Sequence, residues 1–250
     1  MLSTYKRRHP ASLRAFINPL VLMMSRTRVK AKLTLRHAEH RRPNGAVIYA
    51  VNHSNSLDVP LACRAAGRHS WVLVGKQRLY LSDRLFFCLN GTIWVDRKDK
   101  RDMQKAKDRI LRHMEKGHSL IFFPEGTWNL TENLLMLPMK WGIIELAQKA
   151  KVPIVPMILE YSEDKMGCTA WIGEQMSVKG LSLADGITQL RDKMAEMRWQ
   201  MWEEKGLYSR AEMDSETERQ KLFQAVKDYP PMDWEYEESI IYSLKGNLNY

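Results

Sequence analysis

The stretch AVIYAVNHSNSLDVPLACRAAG, residues 46–67, decides how this chain is read. Its first seven residues form a near-continuous apolar run, which predicts a strand buried on both faces. Residues 56–67, SLDVPLACRAAG, predict a helix closed by Gly67. A buried strand that passes through a short polar turn into a helix is the opening of a βαβ unit. At the junction stand His53 and Asp58, with small polar residues between them. An apolar core has no use for that pair, so the turn itself needs a reason.

Working outward, the alternation continues. SWVLVG (70–75) predicts a second strand, DRLFFCLNG (83–91) a short buried helix ended by Gly91, and TIWV (92–95) a third strand. RDMQKAKDRILRHMEKG (101–117) is strongly amphipathic, with Met103, Ala106, Ile110, Leu111 and Met114 on one face. HSLIFFP (118–124) predicts a strand, MKWGIIELAQKA (139–150) a helix, VPIVPMILE (152–160) a strand, and CTAWIG (168–173) a further one. A helix over 182–205 follows. The implied fold class is α/β: a largely parallel central sheet flanked by helices, with a basic amphipathic N-terminal arm. The expected organisation is a membrane-associating arm over 1–42, an α/β domain over 43–205 and an acidic, aromatic tail over 206–250.

Charge is concentrated at the ends. Residues 1–42 hold eleven Lys or Arg and one acid, Glu39, a local charge of +10 that equals the net charge of all 250 residues. The basic arm calls for an anionic surface. AFINPLVLMMS (15–25) lies between Arg14 and Arg26. As a helix it would span about 16 Å, too short to cross a bilayer core but suited to lying in its interface. A plain amphipathic helix packed on the domain is the alternative. No signal peptide or transmembrane span is expected, because no small-residue cleavage site follows this run and no other window is apolar enough. Cys63, Cys88 and Cys168 are odd in number and contain no CxxC pair, which favours a reducing compartment over a disulfide framework or a cysteine-based zinc site.

On a continuous helix, residues five apart point about 140° away from each other. His53 and Asp58 therefore meet only if the histidine lies in the turn and the aspartate in the first helical turn. Ser54, Asn55 and Ser56 are suitable N-cap residues for such a turn. Asp58 would then fix the tautomer of His53 and leave its other nitrogen to accept a proton from a hydroxyl. Spacing alone leaves an incidental pair open. No HExxH or second histidine completes a metal set, and no GxSxG elbow makes Ser54 a nucleophile.

Three further clusters sit just beyond predicted strands. FFPEGTW (122–128) offers Glu125, the close backbone approach of Gly126 and the hydroxyl of Thr127. GTIWVDRKD (91–99) places Arg97, a natural phosphate clamp, past another strand. VPIVPM (152–157) brackets a buried run with prolines. The plain readings are a surface ion pair for Arg97 and turn caps for Glu125 and Thr127.

These four blocks, in this order, resemble the glycerolipid acyltransferases, the group containing 1-acyl-glycerol-3-phosphate acyltransferase. The matches are NHSNSLD (52–58), VDR (95–97), FPEGT (123–127) and VPIVP (152–156), with Lys140 and Gly142 of MKWG as a looser fifth. The resemblance spans about residues 45–160. It implies transfer of a fatty acyl group from a thioester, on coenzyme A or acyl carrier protein, to a lysophospholipid hydroxyl, most readily lysophosphatidic acid. It implies His53 as general base and Asp58 as its orienting partner. Arg97 would hold the acceptor phosphate, with Glu125, Gly126, Thr127 and Lys140 shaping the acceptor site. Trp128 would line the acyl path. No metal or cofactor is implied beyond the acyl carrier as co-substrate. The expected partners are a membrane surface, the lysolipid and the acyl carrier, not nucleic acid, and the expected location is peripheral on the cytoplasmic face of a membrane. Alternatives are an acyltransferase acting on another acceptor, such as a lyso-aminolipid, a thioester hydrolase, and a non-catalytic anionic-lipid-binding protein.

Overall fold

A computed structural model describes residues 16, 18–23, 31–76, 81–131, 135–162, 166–206, 216 and 220. The first fifteen residues of the arm, and the tail past residue 206 apart from two positions, lie outside the described residues.

Seven strands form one sheet: β1 (Lys32–Arg36), β2 (Ile48–Val51), β3 (Ser70–Gly75), β4 (Thr92–Val95), β5 (Ser119–Phe122), β6 (Ile154–Tyr161) and β7 (Gly167–Ile172). Their spatial order is β1-β7-β6-β2-β5-β3-β4. The five strands from β6 to β4 are mutually parallel. β7 runs antiparallel to β6, and β1 pairs parallel to β7. The largely parallel α/β architecture expected from the sequence is the one found.

β2 lies in the middle because every residue in it is apolar and buried. Tyr49 and Val51 project into one apolar cluster, Ile48 and Ala50 into the other. Helices α1 (Asp58–Ala66) and α2 (Leu81–Asn90) cover the first face. Helices α3 (Lys100–Glu115), α4 (Gly142–Ala150) and α5 (Leu183–Glu204) cover the second. The caps follow from local chemistry. Asp99 accepts from the Arg101 N–H to start α3, and Ser182 accepts from Asp185 N–H to start α5. Gly186 inside α5 has a packing reason, since a Cβ there would stand 2.7 Å from Ile144 of α4.

One feature differs from the sequence reading. Residues 32–36, assigned above to the arm, form the edge strand β1, and a 3-10 turn over Ala38–Arg41 leads from it towards β2. KLTLR alternates polar and apolar residues as a half-buried edge strand does, but its charge disguised it. Of the run over 15–25, residues 16 and 18–23 are described, and these meet the domain with one side only. Residues 18–23 are helical; Asn18 and Val21 are buried and Leu22 packs on the α1 side of the core. Phe16, Leu20 and Met23 face outward, each more than half exposed. Among the described residues no helix is long and apolar enough to cross a membrane.

Candidate active site

The site begins where β2 ends. Asn52 is buried, and its side chain continues the β2–β6 pairing past Val51. Its Nδ2 donates to the Leu159 carbonyl at 3.0 Å and its Oδ1 accepts from the Leu159 N–H at 2.7 Å. This holds the chain in place as it leaves the sheet, so His53 emerges at a defined point.

Asp58 is the first residue of α1 and is fully buried. The expectation that a Ser or Asn caps this helix is reversed: no side chain caps Leu57, and the aspartate reaches back to organise the turn. Its Oδ2 accepts from the N–H groups of Ser54 and Asn55, the latter at 2.8 Å, and from Nδ1 of His53 at 2.8 Å. Its Oδ1 accepts from the Tyr161 hydroxyl, brought in by β6. Asn55 instead forms a small turn, accepting from Leu57 N–H at 2.8 Å. With the Ser54 hydroxyl 3.4 Å from Oδ1, five donors converge on one buried carboxylate, which is how a protein holds an unsolvated negative charge. Burial, with Asp58 beside it, pushes the Tyr161 phenol far above its ordinary value, so the tyrosine stays a donor.

His53 is held from every side. Its N–H donates to Glu125 Oε1 at 3.0 Å, and its carbonyl accepts from Asn129 N–H at 2.6 Å. The Phe123 ring stacks on the imidazole with centroids 4.3 Å apart. Asp58 can only accept, so Nδ1 carries the ring proton. Nε2 is then an acceptor, and it accepts the indole N–H of Trp128 at 2.9 Å. The two neighbours select the same tautomer, with a basic lone pair on Nε2.

Glu125 is almost wholly buried, and both its oxygens serve the main chain. Oε1 takes the His53 N–H and Oε2 takes the Leu137 N–H at 2.8 Å. Burial raises its carboxyl to about 7, against the pull of those two N–H groups. It therefore positions the histidine and the 135–140 segment rather than projecting into open space. Gly126 follows at φ 76°, a left-handed conformation suited to glycine. Thr127, half-buried, continues the corner into Trp128.

Arg97 and Lys140 converge on this corner. The Arg97 guanidinium donates to the Gly126 carbonyl. Both side chains approach the bare Cα of Gly126: the Arg97 guanidinium through Nη1 and the Lys140 stem through Cγ would each lie 3.7 Å from a Cβ placed there. The Lys140 N–H donates to the Pro124 carbonyl at 2.7 Å. The 123–129 corner is thus shared: His53 touches Phe123, Glu125, Trp128 and Asn129, and the Arg97 and Lys140 side chains lie against Gly126. All the residues singled out from the sequence gather here: His53, Asp58, Arg97, Glu125, Gly126, Thr127 and Lys140. Sequence reasoning missed the roles of Asn52, Phe123, Asn129 and Tyr161, and Trp128 bonds the imidazole, a contact not foreseen when it was assigned to an acyl path. Asn52 and Phe123 had a local signal, since both stand inside the quoted blocks. Tyr161 had none, lying 103 positions from its partner.

Residues 32–160 match the acyltransferase family. The 1-acyl-sn-glycerol-3-phosphate acyltransferase of Saccharomyces cerevisiae is 33% identical over 114 residues, 45% of this chain and 38% of that protein. The alpha form of that enzyme in Ovis aries is 30% identical over 135 residues, 53% and 46% of the two chains. The alignment to each of these relatives spans less than half of the relative's length. Among solved structures, the 1-acyl-sn-glycerophosphate (LPA) acyltransferase PlsC from Thermotoga maritima superposes with a TM-score of 0.58 at 17% identity, covering 76% of this chain and 81% of that one. That likeness concerns the fold. The family match, just over half of the chain, runs from β1 to residue 160 in β6 and includes every residue described above as touching the histidine; on that ground the chain belongs to the acyltransferase family.

Proposed function

We propose that this protein transfers a fatty acyl group from an acyl thioester to the free hydroxyl of lysophosphatidic acid. The observation that carries the reading is the His53–Asp58 contact at 2.8 Å, with Nε2 turned to the same corner on which Arg97 and Lys140 converge. A base and two cationic side chains gathered on one corner suit an acceptor that carries both a hydroxyl and a phosphate monoester.

In the proposed reaction Nε2 of His53 takes the proton of the acceptor hydroxyl as its oxygen bonds to the thioester carbonyl carbon. Asp58 stabilises the imidazolium that forms. The tetrahedral intermediate collapses with cleavage of the C–S bond, and the departing thiolate recovers the proton from Nε2. The products are an ester and a free thiol, and the histidine is again neutral. Because a thiolate leaves readily, the residues at hand suffice for this route without a covalent enzyme intermediate. Arg97 and Lys140 would hold the phosphate, and Gly126 would leave room for it. The relatives' names support the glycerol phosphate acceptor. Coenzyme A or acyl carrier protein would supply the acyl group.

The same reading places the protein on a membrane, since its acceptor is a lipid. The outward row Phe16, Leu20 and Met23, spaced four and three residues apart, supports contact of the arm with a bilayer interface. The three free cysteines suit the cytoplasmic face.

The test is thiol release by purified protein given acyl-CoA or acyl carrier protein thioesters with a panel of lysolipids, the products identified by mass spectrometry. Lysophosphatidic acid should be preferred to zwitterionic lysolipids. Arg97→Ala should raise the acceptor KM by about tenfold to a hundredfold, the scale of a lost charge-assisted phosphate contact. A preference for a zwitterionic acceptor overturns the assignment of substrate; turnover unchanged by His53→Ala overturns the assignment of chemistry.

A further inference from the structure

The histidine that should receive a proton already has its lone pair occupied. Nε2 of a neutral imidazole offers one in-plane acceptor site. Here the indole N–H of Trp128 fills it at 2.9 Å, with the two rings nearly perpendicular at 84°. On the opposite nitrogen Asp58 holds the proton, and Phe123 covers a ring face. The imidazole side chain is only 18% exposed. A hydroxyl can reach the base only by displacing Trp128 from it.

We infer that Trp128 is a specificity-determining residue that withholds the base from water and yields it to the lipid acceptor. The inference rests on the acyl transfer proposed above and adds to it how transfer is favoured over hydrolysis. Water and a lysolipid hydroxyl are chemically alike towards a thioester. In either case the O–H proton goes to Nε2, the oxygen bonds to the carbonyl carbon, and the thiolate leaves with that proton. Water gives a free fatty acid; the lipid gives an ester. What separates the two nucleophiles is binding energy remote from the hydroxyl. A lysolipid phosphate held by Arg97 and Lys140 can offset the loss of one indole hydrogen bond, and a lone water has no such second contact. Trp128 is well placed for the exchange, because it follows Glu125, Gly126 and Thr127 on the corner those cations grip. Acceptor binding and release of the base are thereby coupled through three residues of chain. Indole also suits the task chemically: it donates and cannot accept, so it neither takes the proton nor competes as a base.

The experiment compares wild type with Trp128→Phe, which keeps an apolar ring and lacks the N–H. Thiol release is followed with and without lysophosphatidic acid. Hydrolysis in the absence of acceptor should rise about tenfold in the variant, the factor one neutral hydrogen bond is worth. The ratio of transfer to hydrolysis should fall accordingly. Hydrolysis no faster than wild type, or an unchanged ratio of transfer to hydrolysis, overturns the inference.

A second measurement does not depend on the variant folding or on turnover. Diethyl pyrocarbonate acylates neutral imidazole nitrogens, and peptide mass spectrometry separates His53 from His40, whose side chain is 29% exposed. In wild type His53 should react at least about tenfold more slowly than His40, more than its 18% exposure accounts for. Equal rates overturn the inference. Failure of the wild type to acylate any lysolipid would instead count against the proposed function, while slow labelling of His53 would still report the occupied base.

Discussion

At the scale of single residues, the site is a set of buried acceptors each met by donors, three of them on Asp58 Oδ2. Replacing His53 by Ala should lower thioester turnover by about 10²–10⁴-fold, the usual worth of a positioned base. Asp58→Asn puts an NH₂ group among five donors, and at least a hundredfold loss of kcat on the scale of acid–base catalysis is expected, with acceptor KM changed much less. Glu125 predicts a pH dependence of stability. Its carboxyl moves from the ordinary 4.5 to about 7 on folding, so between those values the folded chain holds a proton that the unfolded chain has lost. Its contribution is most favourable below about 4.5 and is lost as pH rises through 7, a change of about 3 kcal/mol. Urea unfolding from pH 4.5 to 7.5 should show that slope in wild type and a flatter one in Glu125→Gln. The His53–Asp58 pair was legible because five residues of turn chemistry hold both partners. The Tyr161 hydroxyl and the Trp128 indole were not, because a hydrogen-bond partner delivered by tertiary packing leaves no trace in spacing.

At the scale of elements, the strand-to-helix turns hold the candidate site and neighbouring segments brace them. Asn52 is the brace between β2 and β6, and Asn52→Ala should cost about 2–3 kcal/mol, because two buried groups of Leu159 lose their partner. Chemical denaturation measures it directly. Gly126→Ala should cost about 1 kcal/mol through its left-handed backbone, with a loss of activity that Arg97 and Lys140 share. The strands and helices of the parallel core were legible to within a few residues, since apolar runs of four to eight and 3.6-residue periodicity are strong signals. The start of α1 was harder. Its turn is ordered by an aspartate from inside the helix, whereas sequence reasoning looks for a cap in front of it.

At the scale of the whole molecule, the order of strands was not legible. Nothing local says that β1 crosses the molecule to pair with β7, or that β5 inserts between β2 and β3. That insertion brings the ends of β2 and β5 side by side, and with them His53 and Glu125. The outward row on the N-terminal helix belongs to this scale as well. Replacing Phe16, Leu20 and Met23 together by Ser should reduce flotation with anionic vesicles by at least about tenfold, since each side chain forfeits apolar transfer energy. Helix α1 connects the two ends of this arrangement. It opens with Asp58 under the imidazole and closes at Gly67, which with Arg68, His69 and Arg42 walls a groove shared with Asn18, Pro19 and Leu22. Nine residues of helix make a strut of about 14 Å. Its length sets a stand-off of that size between the helix over 18–23 and the imidazole, comparable to half the thickness of a bilayer core. Under the proposed acyl transfer, with residues 18–23 at an interface, a lipid acceptor would have to travel that distance to reach His53, and lengthening or shortening α1 by a turn would shift the site relative to that helix without altering a single side chain in it.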